Sequence, residues 1–225
     1  MSSHHEGTVT ENPGTSAFTG SFTTGASSLL RINGSTGGAK LNAFVNNGTH
    51  AFTGDLDNQG SLEIVSRPLN VRSTNDFLNS GFINVGSGLT LTTSGGAFTN
   101  TITGTIEGAG TVDVSSGAQF INLGTVGPGD AGTLIGRLTF VDFLPFDAQS
   151  DLNVEPDGLI PGSEHDQVVV SGSATLNGAL SLAFLGGYTP QDGDTFTILT
   201  CSGTCTGSLR LRICQICPAW VWPGS

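Results

Sequence analysis

The chain has 225 residues and a formal net charge of −11, with 7 Lys plus Arg against 18 Asp plus Glu. A surface this acidic repels phosphate backbones and anionic lipid, which excludes nucleic acid and membrane insertion from the expected partners. Only 11% of residues are charged while 34 are Gly; with Thr, Val, Ile and Phe frequent, the composition is that of short strands and tight turns, not of a disordered chain.

The N-terminal stretch MSSHHEGTVTENPG is polar and carries no signal segment. No run approaches the roughly 18 apolar residues of a membrane-crossing helix. Residues 1–40 read as an irregular region or cap. His4 and His5 lie near its start and Lys40, the sole lysine, at its end.

Repetition begins after residue 40. The stretches FVNNGTHAF, LDNQGSLEI, FLNSGFINV, FTNTITGTI and FINLGTV each open on a large apolar residue with Asn two positions later: Asn46, Asn58, Asn79, Asn100 and Asn122. The last four are spaced 21, 21 and 22 apart, and the first interval is only 12. A Gly follows each: Gly48, Gly60, Gly81, Gly104 and Gly124. Alternating runs precede three of the openings, at Leu69–Val71, Leu89–Leu91 and Val112–Val114. One unit therefore reads as strand, polar turn, strand, Asn-Gly corner, strand.

Three short strands in about 21 residues make one coil of a parallel β-solenoid, a right-handed parallel β-helix. Coils stack at the roughly 4.8 Å strand spacing. The expectation is a buried stack of Phe77, Phe98 and Phe120 beside a ladder of Asn79, Asn100 and Asn122 whose amides bond one another. The glycines two residues after Asn, in every unit but the one at Asn100, are expected to permit a positive φ at the corner. The alternative is a sandwich or barrel with strands every 8–12 residues. Its two-residue hairpin turns would be Asn-Gly pairs. Those at Asn33-Gly34, Asn47-Gly48 and Asn177-Gly178 do not follow the repeat. The solenoid is read over 41–207.

From Asp151 the texture changes. The segment His165–Thr200 carries Asp166 before a β-branched strand. It continues with V-x-G-x-A-x-L-x-G-x-L-x-L through Val170, Gly172, Ala174, Leu176, Gly178, Leu180 and Leu182. G-Y-x-P-x-x-G-D-x-F-x-I-L follows, through Gly187, Tyr188, Pro190, Gly193, Asp194, Phe196, Ile198 and Leu199. This part, 151–207, resembles the ends of large secreted bacterial β-helix proteins, such as autotransporter passengers and adhesins. The upstream F-x-N-x-G coils are similar to theirs too. The resemblance implies an exported surface protein with a structural or adhesive role, extracellular or at the cell surface. A carbohydrate or a host-cell surface is the implied partner. No series of ten-residue membrane strands follows, so the outer-membrane barrel of that family is not expected here. The polar start then reads as a signal left out or as a piece of a longer chain.

Residues 208–225 differ. Such segments continue with a small-Phe-x-Asn-Leu-Pro run, whereas this chain gives SLRLRICQICPAWVWPGS. Two of the seven basic residues, half of the cysteines and both tryptophans crowd into it. Read one base out of frame with suitable codons, it yields Ala-Phe-Ala-Asn-Leu-Pro and then a Leu/Gly-rich run. The tail is therefore read as a frameshift product, and the C-x-x-C of Cys214 and Cys217 as a coincidence of frame. A redox dithiol needs a helix N-terminus to lower the thiol pKa, and the surroundings alternate as a strand does. Solenoid ends leave unpaired backbone groups, so self-association through them is expected.

Candidate sites are few. Cys201 and Cys205 in CSGTC read as a loop-closing disulfide, which suits an exported protein; the alternative completes a four-cysteine zinc set with Cys214 and Cys217. His165, Asp166 and Glu164 are the weak catalytic alternative, without a G-x-S-x-G elbow. His165 itself reads as a turn residue, and His50 as exposed after its Asn-Gly turn. Loop acids Asp130, Asp142, Asp147, Asp151, Glu155, Asp157, Glu164 and Asp166 could hold calcium, but no calcium-loop motif occurs. The enzyme most at home on this architecture is a carbohydrate lyase or hydrolase, or an esterase. Glu63, Arg67 and Arg72 are the one mixed cluster in the repeats, and they read as a solvated face.

Overall fold

The computed structural model describes residues 68–73, 76–129 and 134–213. Before them it describes the strands Ser3–His5, Ala17–Thr19, Phe22–Thr24, Leu29–Leu30, Thr49–Thr53, Leu56–Asn58 and Ser61–Ile64. Asn46, Arg67, Asp130, Cys214, Cys217, Trp220 and Trp222 lie outside the described residues, as do the side chains of His4, His5, His50 and Arg72.

Every described element is a strand, and none is helical. The strands form sheets of 12, 8 and 3 members, and their pairing is parallel. Leu69–Ser73 and Phe77–Asn79 belong to the 12-stranded sheet, and Phe82–Val85 to the 8-stranded one. The same order of visits recurs downstream. Thr90–Asn100 spans both positions in the larger sheet, and Thr105–Gly108 joins the smaller. Thr111–Asn122 and Thr125–Pro128 repeat this. Parallel neighbours need a crossover between them, and here other strands make that crossover.

Alternation decides which side chains turn inward. Leu62, Ile83, Ile106, Val126 and Leu152 stand in register across the 8-stranded sheet, all buried. Leu91, Val112, Phe140 and Val170 do the same in the 12-stranded sheet. Each such side chain contributes about 1.5–3 kcal/mol by leaving water. Residues between them, such as Thr90, Thr92, Thr105 and Glu107, are half-buried on the outer side.

One irregularity in the repeat has a local cause. Thr90 pairs with Thr111 and Thr92 with Asp113, but Ser94 pairs with Ser116, so the register slips by one residue. Two bonds hold the bulged segment: Ser115 donates from its backbone N–H and from its hydroxyl to Asp113 Oδ1, at 3.0 and 2.7 Å. A bulge adds one residue to one strand without breaking the pairing on either side. The spacing of 22 between Asn100 and Asn122 follows.

Towards the C-terminus the offsets lengthen. Val112 pairs with Phe140, Phe140 with Val170, and Val170 with Cys201. One connection absorbs most of the growth: the one that leads from the 8-stranded sheet back to the 12-stranded one. It runs over 109–110, then 129–136, 155–166 and 183–198. In the same region the middle strands Phe143–Pro145, Ser173–Leu176 and Cys205–Gly207 separate as the 3-stranded sheet.

Candidate functional site

The asparagines form a directional ladder. Asn58 Nδ2 donates to Asn79 Oδ1, Asn79 Nδ2 to Asn100 Oδ1, and Asn100 Nδ2 to Asn122 Oδ1, each at 2.8 Å. The second amide proton of each donor reaches a carbonyl, on Phe82, Thr105 and Thr125 respectively, at 3.0–3.2 Å. All four side chains are buried, so these bonds replace ones that water would otherwise make. Beside the ladder, Phe77, Phe98 and Phe120 stack with ring centroids 4.6 and 5.0 Å apart. Offset stacking at such separations adds about 0.5–1.5 kcal/mol per pair. Phe140 extends the stack at 5.9 Å, although its strand pairs opposite Val112. The repeat alone did not reveal Phe140, because it breaks the 21-residue spacing.

The corner glycines need correction. Neither Gly81 nor Gly124 has the expected positive φ, and Gly104, for which none was expected, has none either. At Gly104 and Gly124 the role is close approach. A Cβ on Gly104 would run into the Asn79 carbonyl and Asn100 Oδ1. One on Gly124 would meet the Gly104 and Thr101 carbonyls and Asn100 Nδ2. The ladder occupies the space that a side chain would need.

His165, Asp166 and Glu164 are neighbours in sequence but do not converge on one open site. His165, read as a turn residue, directly follows the turn at 162–164 and is fully buried. Its Nδ1–H donates to the Gly158 carbonyl at 3.2 Å, and its ring packs edge-on to Phe196 at 5.4 Å. Nε2 has no partner among the described residues. Phe196 in turn meets Tyr188 edge-on at 6.1 Å. The Tyr188 hydroxyl donates to Asp194 Oδ2 at 3.0 Å, and Gln191 N–H donates to the same oxygen at 2.8 Å. The G-Y-x-P-x-x-G-D-x-F run is thus a self-bracing loop packed on His165. Gly187 and Gly193 take the positive φ its turns require.

Glu164 is a loop brace. Its Oε2 accepts the Leu159 and Ile160 N–H groups at 2.9 and 3.0 Å. Asp166 is a fully buried pin. Oδ1 accepts Gly136 N–H and Oδ2 accepts Glu155 N–H, both at 2.8 Å. It therefore ties connection 129–136 to connection 155–166. Burial, and then the hydrogen bond with the Glu155 side chain, push its carboxyl up to about 9. Burial followed by repulsion from Glu155 also raises Glu107. A coupled carboxyl pair could in principle exchange a proton with a substrate. Here Asp166 is closed to substrate and its oxygens are held by backbone amides.

The remaining acids are dispersed. Asp151 takes the Ser181 hydroxyl at 2.9–3.0 Å and pairs with Arg212 at 3.7 Å. Asp142 is a non-glycine residue with φ of 84°, and its N–H donates to Ser171 Oγ. Asp147 is exposed. Among the described residues no three His, Cys, Asp or Glu side chains group as a metal site would. Cys201 and Cys205 are joined as a disulfide, with Cα atoms 5.9 Å apart. Glu63 is half-buried in Ser61–Ile64, and its proposed basic neighbours lie outside the described side chains. Arg210–Ile213 pairs in parallel with Ala179–Leu182, so the atypical tail begins as a strand.

No protein-family model matches the chain, and no curated protein matches it.

Proposed function

We propose that the chain is a right-handed parallel β-helix, with coils of about 21 residues in its central part, that serves as a structural or adhesive module of an exported bacterial surface protein. The observation that carries this reading is the parallel register from Leu56–Asn58 through Thr111–Asn122, with Asn on Asn and Phe on Phe. Like-on-like stacking at one strand spacing is what a solenoid requires. On the outer side Thr90, Thr111 and Thr139 stand in register, a regular polar stripe of the kind a contact surface uses. The Cys201–Cys205 disulfide suits an oxidising, extracellular setting. The resemblance to autotransporter passengers and adhesins points the same way, with carbohydrate or a cell surface as the partner.

The residues from Leu209 onward are, in this reading, a frameshift remnant that still adds one strand. The last strands Leu199–Cys201, Cys205–Gly207 and Arg210–Ile213 each pair on one side only among the described residues, which supports self-association there.

Adhesion of protein-coated beads to bacterial and host-cell surfaces tests the function, alongside a panel of glycosidase, lyase and esterase substrates. Adhesion without turnover supports the module. Turnover that disappears in Glu155→Gln would replace it with the enzyme.

A further inference from the structure

The middle strands part company at one place. Gln119–Asn122 pairs with Ala97–Asn100 on one side, and Phe143–Pro145 pairs with Ser173–Thr175 on its other side. Between Gln119–Asn122 and Phe143–Pro145 no strand pairing runs. The gap is closed at one end, where Asp147 N–H donates to the Asn122 carbonyl at 3.4 Å and the Ser150 hydroxyl is shared between the Asp147 carbonyl at 2.8 Å and that of Asn122 at 3.2 Å. It opens into a groove of about 330 Å³ lined from both banks.

The asparagine ladder ends at the floor of this groove. Each earlier Nδ2 points toward the next rung. Among the described residues Asn122 has no next rung, and its buried Nδ2 has no acceptor. The lining also includes Gln119, Asp147, Thr175 and Asn177, all exposed, and the half-buried Phe143.

We infer that this groove binds a short stretch of neutral oligosaccharide, which would be the contact of the adhesive module proposed above. The inference rests on that proposal. Planar amides and a carboxylate can each take two neighbouring hydroxyls, and the hydroxyl of Thr175 both donates and accepts. A ring face covers the apolar C–H side of a pyranose. A few polar groups set around an apolar patch in a cleft of about 300 Å³ or more is the common form of a small-ligand site. Asp147 is the one charged residue in the lining and the chain is strongly acidic, so uronates and sialylated sugars are repelled. A peptide strand fits worse. Inserting one needs its neighbours about 9.6 Å apart, twice the strand spacing, whereas the Asp147–Asn122 bond ties the banks at one spacing.

The test titrates the full chain with hexamers of cellulose, mannan and chitin, with oligogalacturonate as the charged control and an extended Thr/Val peptide as the rival. Heat release and chemical-shift change are the readouts. The double variant Gln119→Ala, Asn177→Ala alters only exposed side chains, and its melting temperature checks that the fold is kept. The expected result is that a neutral hexamer binds, the uronate and peptide do not, and the variant binds roughly tenfold or more weakly. Three results overturn the inference: no neutral hexamer binds at millimolar concentration, the peptide binds in their place, or the variant binds as well as the original chain. Bead adhesion by the variant separates the two ideas. Undiminished adhesion removes the groove and leaves the adhesive module standing, while absence of adhesion in the original chain removes the module itself.

Discussion

Asn100 is bonded through its side chain on both sides: it accepts from Asn79 and donates to Asn122, at 2.8 Å each. Asn122, one rung on, accepts but finds no acceptor for its own amide among the described residues. Replacing Asn100 by Ala leaves a buried donor on one side and a buried acceptor on the other, each costing about 1–3 kcal/mol. Asn122→Ala orphans one Asn100 proton and removes a donor that was already unpaired. Urea denaturation should therefore rank Asn100→Ala as the more destabilising of the two. Equal losses would mean that the ladder bonds do not carry the difference.

Gly104 and Gly88 separate two reasons for glycine. Gly88 has φ of +73° with open space where a Cβ would point, and Gly104 has no such φ but no room. Asn tolerates the left-handed region better than Ala does. Gly88→Asn is expected to cost less than Gly88→Ala. At Gly104 both replacements should be severe, at about 1–3 kcal/mol or more through overpacking. Melting temperatures of the four variants decide the matter, and a mild Gly104→Ala would show that the ladder can yield.

Asp166 gives a pH dependence with a definite sign. Its carboxyl titrates above the ordinary value of 3.8 in the folded chain, so the folded state holds a proton that the unfolded state releases. The stability this contributes is fully present below the unfolded pKa. It is lost as pH rises from about 4 toward the folded value. Glu107, also raised, contributes with the same sign. The denaturation midpoint should fall between pH 5 and pH 8, and Asp166→Asn should flatten that slope. An Asp166→Ala variant orphans two backbone N–H groups and should lose about 2–4 kcal/mol at any pH in this range. A midpoint that climbs across the same interval would contradict the shifted carboxyl.

Removing residues 209–225 takes away Leu209, which packs against the core, and the strand that covers Ala179–Leu182. An uncovered parallel edge recruits other edges. Light scattering should detect association of the shortened chain beyond that of the full one. A shortened chain that stays monomeric at high concentration would show that the preceding strands close the fold by themselves.

The frameshift proposal is tested at the level of DNA. The parent locus should continue in an open frame that encodes Asn-Leu-Pro where Ile213 to Gln215 stand. A parent gene that itself encodes Cys-Gln-Ile-Cys before its stop ends the idea.

What the sequence by itself determined is what repeats. Strand propensity and short turns made the chain all-β, and like residues at spacings of 21 and 22 could pair in parallel only if each faced its own copy. Asn79, Asn100, Asn122 and their phenylalanines were legible for that reason. Tertiary structure decided whatever depends on the path of the backbone between copies. The corner glycines looked like positive-φ residues, yet the neighbouring amides and carbonyls set their role, and no local rule contains those neighbours. His165 read as a turn residue and Asp166 as the residue before a strand, and nothing local told that both are buried. His165 packs on Phe196 and Asp166 takes the Gly136 amide 30 residues away, partners that no local rule contains. Phe140 joined the aromatic stack from a different strand, and Asn122 lost its next rung, for one shared reason. Once the connections lengthen, the offset between facing strands is no longer constant, and spacing along the chain stops predicting which side chains meet.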